Sequence, residues 1–258
     1  MEDYIVRVLI MRHGQSEGNV DSNAYIEKGD HKISLTDTGW KQAIAGGKFL
    51  EKYYEVNGHS HWPYVFLSAY QRTQETLSGV VHGMRESGLE GEPRIQLDPR
   101  LIERFSGATQ LIEKGGWLGR KISKKFNKMA KHLYNKDPFV TRNLLGDSNK
   151  DIHLNVQSFR DGALRRAVED GNKDMLIVCH GGVYREFVRA FGDLPMNAKL
   201  PTPGNCDILE ATLYDGEEGW RVKQIYDGVN MKEVDISLTD GHHPYSFADL
   251  PQVPDHLQ

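Results

Sequence analysis

The chain has 258 residues, 38% of them hydrophobic and 26% charged, with a formal net charge of -4. That is the make-up of an ordinary soluble globule with material for a sizeable core, and it gives no general attraction to nucleic acid or to an anionic membrane. The acidic start Met1-Glu2-Asp3 runs into an apolar stretch too short to span a bilayer, and the two cysteines, Cys179 and Cys206, are too few for a disulfide framework, so the sequence predicts a cytoplasmic protein with free thiols.

In chain order, the apolar run Tyr4 to Ile10 reads as a strand and closes on Met11-Arg12-His13-Gly14. Polar sequence from Gln15 to Ser34 follows, and from Thr36 the residues Trp40, Ala43, Gly47 and Leu50 fall on one face of a predicted helix. Tyr64 to Leu67 starts a second such unit, with Ser68-Ala69-Tyr70-Gln71-Arg72-Thr73 at its turn and Leu77, Val80 and Met84 at helical spacing. Arg94 to Leu97 alternates like a half-buried strand and leads through Asp98-Pro99 to Leu101-Ile102-Glu103. Between Thr109 and Asn149 the periodicity weakens. There Ile122, Phe126, Met129, Ala130 and Leu133 can line one side of a lysine-rich helix, and about 108–150 reads as a cap-like insertion. Val156, Phe159, Ala163, Leu164 and Ala167 mark a further helix, and the strand Met175 to Cys179 closes on a second His-Gly pair, His180-Gly181. Cys206 to Tyr214 and Trp220 to Tyr226 read as an edge hairpin, and the proline-bearing stretch of about 244–258 as a loose tail.

Strands alternating with helices predict an α/β protein of three layers, α/β/α, with a mostly parallel sheet, an edge hairpin and one domain over 1–258. Ligands of such sheets bind outside the carboxyl ends of the strands, so His13 and His180, each at a strand exit, are expected to face one pocket. Taken singly, each reads better as a hydrogen-bonded structural histidine. Their company reverses this reading. Phosphoryl transfer needs a nucleophile, cations for the anionic oxygens and a proton donor for the leaving oxygen. His13 can attack as a neutral imidazole, Arg12 and Arg72 supply planar forks that match phosphate, His180 adds a donor, and Glu103 can protonate the leaving group and later activate water.

Arg12-His13-Gly14 with Glu17 and Asn19, Leu35-Thr36 with Gly39 and Gln42-Ala43, Ser68 with Arg72-Thr73 and Glu75-Thr76, Leu101 with Glu103 and Gly107, and His180-Gly181 resemble, in this order, the histidine phosphatase superfamily, which includes cofactor-dependent phosphoglycerate mutase. The resemblance implies a phosphoglycerate mutase-like fold and a phosphohistidine intermediate at His13. It also implies that Arg12, Arg72 and His180 bind the phosphoryl group, that Glu103 is the proton donor, and that Asn19, Gln15 and Gly181 are further phosphate contacts. No metal or other cofactor is implied. Glu103 is followed by Arg104-Phe105-Ser106-Gly107 where the mutases carry Arg-His-Tyr-Gly, whereas Asp30 to Thr36, Gly146-Asp147-Ser148 and Asn205-Cys206 look like a phosphatase branch. The expected activity is therefore hydrolysis of a small phosphomonoester, of the histidine acid phosphatase type. A phosphomutase, or a catalytically silent member that binds phosphorylated ligands or proteins, are the alternatives.

One rival chemistry sits inside the second strand exit. Cys179-His180-Gly181-Gly182-Val183-Tyr184-Arg185 fits C-x-x-G-x-x-R, the phosphate loop of cysteine-dependent phosphatases. It leaves Arg12, His13, Arg72 and Glu103 without a role, and Glu186 follows Arg185 where a hydroxyl is needed. The basic residues Lys114, Arg120, Lys121, Lys124, Lys125, Lys128 and Lys131 read either as a solvated helix face or as a patch that draws in an anionic substrate. His59-Ser60-His61 and His242-His243 lack nearby carboxylates or cysteines and are not expected to hold a metal.

Overall fold

The computed structural model describes residues 4–84, 89, 91–105 and 146–238, with scattered positions between 119 and 142. Its centre is β1 (Tyr4–Arg12), whose side chains are buried on both faces from Val6 to Met11. Alternation sends Val6, Val8 and Ile10 into one core and Leu9 and Met11 into the other. β1 pairs in parallel with β4 (Asp174–Cys179), which pairs in parallel with β2 (Tyr64–Leu67), and β2 with β3 (Ile95–Leu97). On its other side β1 runs antiparallel to β5 (Ile208–Tyr214), followed by β6 (Arg221–Asp227) and β7 (Lys232–Ser237), giving the order β3-β2-β4-β1-β5-β6-β7.

The expected three layers are present, and the sheet is mixed rather than mostly parallel, because three of its six pairings are antiparallel. The predicted hairpin is β5-β6, but β7 takes the edge position. Its exposed sequence Lys232-Glu233-Val234-Asp235-Ile236-Ser237 buries too little for the hydrophobic pattern to register. β3 forms the other edge, and all three of its residues, Ile95 and Leu97 included, are exposed where the sequence predicts one buried face.

Two short helices, α1 (Glu17–Val20) and α2 (Ala24–Glu27), lie in the loop after β1. Helix α3 (Asp37–Val56) begins where Thr36 Oγ1 accepts from Gly39 N at 3.1 Å, the N-cap bond that satisfies one of its orphan donors. It packs with α4 (Gln71–Gly83) on one face of the sheet through Ala43, Leu50, Leu77 and Val80. The other face is covered by α5 (Asn149–Phe159), by α6 (Arg165–Glu169), which continues it through a π-helical turn at Arg160–Leu164, and by α7 (Gly181–Phe191). Gly171 ends this run with φ of 88°, a left-handed conformation suited to glycine.

Most of the predicted insertion of 108–150, and all of the predicted tail of 244–258, lie outside the described residues. Where side chains of the basic segment are described, Lys121, Lys124, Lys125 and Lys128 are exposed, and so are Ile122, Met129 and Leu133, which the sequence aligns on one helix side. Among the described residues no helix is long and apolar enough to cross a membrane.

Candidate active site

Parallel register assembles the site. Arg12 is opposite Cys179 and Leu67 opposite Val178 and Leu97, so the residues that follow β1, β4, β2 and β3 emerge side by side. Main-chain bonds continue the ladder past the strands: His13 N donates to Cys179 O (3.0 Å), Ser68 N to Val178 O (3.1 Å) and Asp98 N to Leu67 O (3.0 Å). His13 and His180 are thereby neighbours, with ring centroids 5.3 Å apart in an edge-to-face arrangement.

His13 is buried, and its Nδ1 lies 2.7 Å from the carbonyl oxygen of Gly14. A carbonyl only accepts, so the proton sits on Nδ1 and Nε2 carries the lone pair. That lone pair faces Arg72 Nε, which donates to it at 3.3 Å. The loop carrying the ring is fixed from below. The His13 carbonyl accepts from Cys206 N (3.3 Å) and Asn205 Nδ2 (3.2 Å), and Gly14 N donates to Thr76 Oγ1 (3.0 Å). Across the loop, a Cβ on Gly39 would stand 2.0 Å from the carbonyl oxygen of Gln15, so only glycine permits this approach of α3.

Three donors surround the ring. Arg72 is 1% exposed, and its Nη1 bonds the Asp30 carbonyl (2.7 Å) and pairs with the Asp30 carboxylate (2.8 Å). Arg12 is anchored by Nη1 to the carbonyl of Pro203 (2.6 Å), which leaves its Nε buried without a partner among the described residues. His180 Nε2 lies 2.8 Å from Ser68 Oγ. With the hydroxyl as donor, the imidazole proton sits on Nδ1, a second buried atom with no partner among the described residues. Buried donors left unpaired are costly, and a site that keeps two beside a neutral nucleophile is prearranged for anionic oxygens.

Glu103 reaches this cluster from β3 through the short turn Pro99–Leu101. A Cβ on Gly182 would stand 2.6 Å from Glu103 Oε1, which puts the carboxylate against the first turn of α7. Gly182→Ala is expected to displace that carboxylate while leaving the fold intact, because alanine suits a helix and the obstructed atom is a flexible tip. Turnover falls tenfold or more with the thermal midpoint within a few degrees of the wild type. A kcat equal to that of the wild type would show that Glu103 needs no fixed place.

The remaining predicted contacts are placed less uniformly. Asn19 is exposed, and its Oδ1 accepts from Ser16 N, Ser16 Oγ and the Asn205 Nδ2 that also reaches His13. Gln15 turns toward α3, its Oε1 held by Thr36 Oγ1 at 2.8 Å. Gly181 opens α7, and a Cβ there would be 3.3 Å from Arg12 Nε. Ser68, Asp30, Asn205 and the Pro203 carbonyl escaped assignment as site residues, because each acts through a bond to a residue far away in the chain. The order of motifs signals Ser68 and Asn205 only as parts of a pattern.

The structure disfavours the thiol rival. Cys179 is fully buried in the core beneath the sheet, burial pushes its thiol well above the usual range, and Arg185 points into a separate cavity. Both cysteines are free. His59 pairs with Asp174 at 3.4 Å, and among the described residues no group of three or more His, Cys, Asp or Glu is arranged to hold a metal ion. His242 and His243 lie outside the described residues.

Burial first, then the charges of Arg72 and Arg12, hold His13 well below the ordinary imidazole value of 6.5; burial first and then Arg72 do the same for His180. Both rings are neutral in the folded state. The unfolded chain takes up protons near pH 6.5 where the folded chain does not, so stability is lost as pH falls below 6.5. Each ring steepens the decline by up to about 1.4 kcal/mol per pH unit, and His59, lowered mainly by burial, adds in the same direction. Urea midpoints measured from pH 7.5 to 5 are expected to fall less steeply in His180→Gln than in the wild type; equal slopes would mean that His180 is charged in the fold.

Comparison with known proteins identifies the family. The family model described as histidine phosphatase superfamily (branch 1) matches residues 8–228. The chain belongs to that superfamily. Among curated relatives, the phosphoglycerate mutase-like protein AT74H of Arabidopsis thaliana is 29% identical over 216 residues, covering 78% of this chain and 72% of its own length. A 2,3-bisphosphoglycerate-dependent phosphoglycerate mutase of Rhizobium etli is 26% identical over 193 residues, covering 75% and 83%. A solved mycobacterial glucosyl-3-phosphoglycerate phosphatase superposes with a TM-score of 0.59 at 19% identity over 85% of this chain and 97% of its own, and Bacillus anthracis phosphoglycerate mutase with 0.58 at 17% over 89% and 96%. At these identities the superpositions establish a shared superfamily fold, on which both phosphatases and mutases are built.

Proposed function

We propose that the protein is a phosphomonoesterase that hydrolyses a small phosphorylated molecule through phospho-His13. The observation that carries this reading is a neutral, buried His13 whose Nδ1 proton is committed to Gly14 and whose Nε2 lone pair faces Arg72 at 3.3 Å. In the first step Nε2 attacks phosphorus, the bond from phosphorus to the leaving alkoxide breaks, and protonated Glu103 gives that oxygen its proton. Arg72, Arg12 Nε and His180 Nδ1 hold the three equatorial oxygens as charge shifts. In the second step Glu103, now a carboxylate, takes a proton from water, the water oxygen attacks phosphorus, and the nitrogen–phosphorus bond returns its electron pair to Nε2 as inorganic phosphate leaves. The cationic work falls to Arg12 and Arg72, so the scheme needs no metal.

Hydrolysis is favoured over transfer because the residues after Glu103 depart from the mutase pattern. The Rhizobium etli relative keeps a phosphomutase as the second reading. One assay separates the two: rapid acid-free quench of the enzyme mixed with radiolabelled phosphoglycerate, followed by product analysis. An acid-labile label on the protein and release of inorganic phosphate support the phosphatase, label with isomerised phosphoglycerate supports the mutase, and absence of both with aryl phosphates as well would sink the phosphohistidine scheme.

A further inference from the structure

A cavity of about 450 Å³ opens on the flank of α7, outside the cluster that surrounds His13. That volume suits a small organic ligand. Its wall holds three cations, Arg185, Arg189 and Lys199, against one carboxylate, Glu186. The carboxylate is already committed: Glu186 Oε2 accepts from Arg189 Nε at 3.0 Å and lies 3.1 Å from His153 Nδ1. Arg189 is committed in turn, to Glu186 and to the carbonyl of Pro195, and its guanidinium carbon stands 5.5 Å over the ring of Phe139. Arg185 and Lys199 remain, and neither has a hydrogen-bond or ion-pair partner among the described residues. Met196, Ala198 and Leu200 give the same cavity an apolar side.

Three connections tie this cavity to the phosphoryl site. α7 begins at Gly181, beside Arg12, and Arg185 comes one turn later, about 7.5 Å along the helix axis from His180. The segment that walls the cavity at 196–200 continues to Pro203, whose carbonyl holds Arg12. Arg104, next to Glu103, donates through Nη1 to Asn149 Oδ1 at 3.0 Å, and Asn149 lines the cavity. These ties set the wall of the cavity within about one to two helical turns of the phosphoryl site.

We propose that the cavity binds a second acidic group, a carboxylate or phosphate, that the substrate carries beyond its reacting ester, with Arg185 and Lys199 as the residues that select it. The inference rests on the phosphatase reading and deepens it: the substrate class becomes phosphomonoesters bearing a second anion. An unpaired guanidinium beside an apolar wall matches a carboxylate or phosphate at the end of a short carbon chain, and Lys199 supplies a second point charge.

The test measures binding by calorimetry and so does not depend on turnover. The probes are phosphonocarboxylates from 3-phosphonopropionate to 6-phosphonohexanoate, each compared with the alkyl phosphonate of equal length. In the wild type the carboxylate is expected to tighten binding at least tenfold at the best length. That ratio should fall toward one in Arg185→Gln, recover in part in Arg185→Lys, and shrink in Lys199→Gln. No carboxylate gain at any length, or a gain that survives both glutamine variants, overturns the inference. So does an equal benefit from free hexanoate added beside hexylphosphonate, because the site would then serve a separate anion. Turnover of p-nitrophenyl phosphate without a carboxylate gain sinks this inference alone, whereas a carboxylate gain in a protein that forms no phosphohistidine sinks the phosphatase reading alone.

Discussion

On the proposed phosphohistidine route, His13→Ala is expected to lower kcat for phosphomonoesters by roughly 10⁴-fold or more, because it removes the atom on which the intermediate would form. The ring is buried and makes two side-chain hydrogen bonds, to the Gly14 carbonyl and from Arg72, so alanine also leaves a small cavity. A loss of folding is separated from a loss of chemistry by two controls. His13→Asn keeps a polar side chain in that space with no nucleophile, and binding of an alkyl phosphonate to either variant reports whether the cation cluster is still assembled. Retained binding, retained far-ultraviolet circular dichroism and absent label on the protein are the expected combination. An alanine variant that keeps a tenth of wild-type kcat removes His13 from the reaction.

Arg72→Lys lowers kcat/KM by about 10²- to 10³-fold, the cost of losing a prearranged donor to developing phosphoryl charge. The effect is specific to the fork. Arg72 uses Nε toward His13 and Nη1 toward the carbonyl and carboxylate of Asp30, and one ammonium cannot occupy both directions. A merely structural Arg72–Asp30 pair would show as a lower urea midpoint with kcat preserved, so kinetics and denaturation must be measured on the same preparation. Asp30→Asn supplies the converse: it leaves Arg72 Nε in place and is expected to cost far less than Arg72→Lys.

Much of the candidate site is legible in the sequence because its residues sit in short motifs at strand exits. His13, Arg72, His180 and Glu103 each follow a run or an alternation that period-two reading detects, and a common end of the sheet follows from the α/β rule. What escaped depends on distance in the chain. Ser68 becomes meaningful only through His180, 112 residues later, and Pro203 only through Arg12, 191 residues earlier. Arg185 was visible only as a match to a thiol motif, and its place on the outer side of α7 reassigns it to the cavity. β7 went unseen for an energetic reason: an exposed edge strand is fixed by main-chain bonds to β6, which leave no mark in side-chain hydrophobicity.

The rigid tie between neighbouring strand ends has an evolutionary corollary. His13, Ser68 and Asp98 are tied by main-chain bonds to the neighbouring strands, whereas Arg185 and Lys199 of the flanking cavity stand on one helix flank and one surface segment. On the proposed reading, substitutions at Arg185 and Lys199 change which phosphomonoester binds while sparing the cluster around His13, so specificity and reactivity can vary separately.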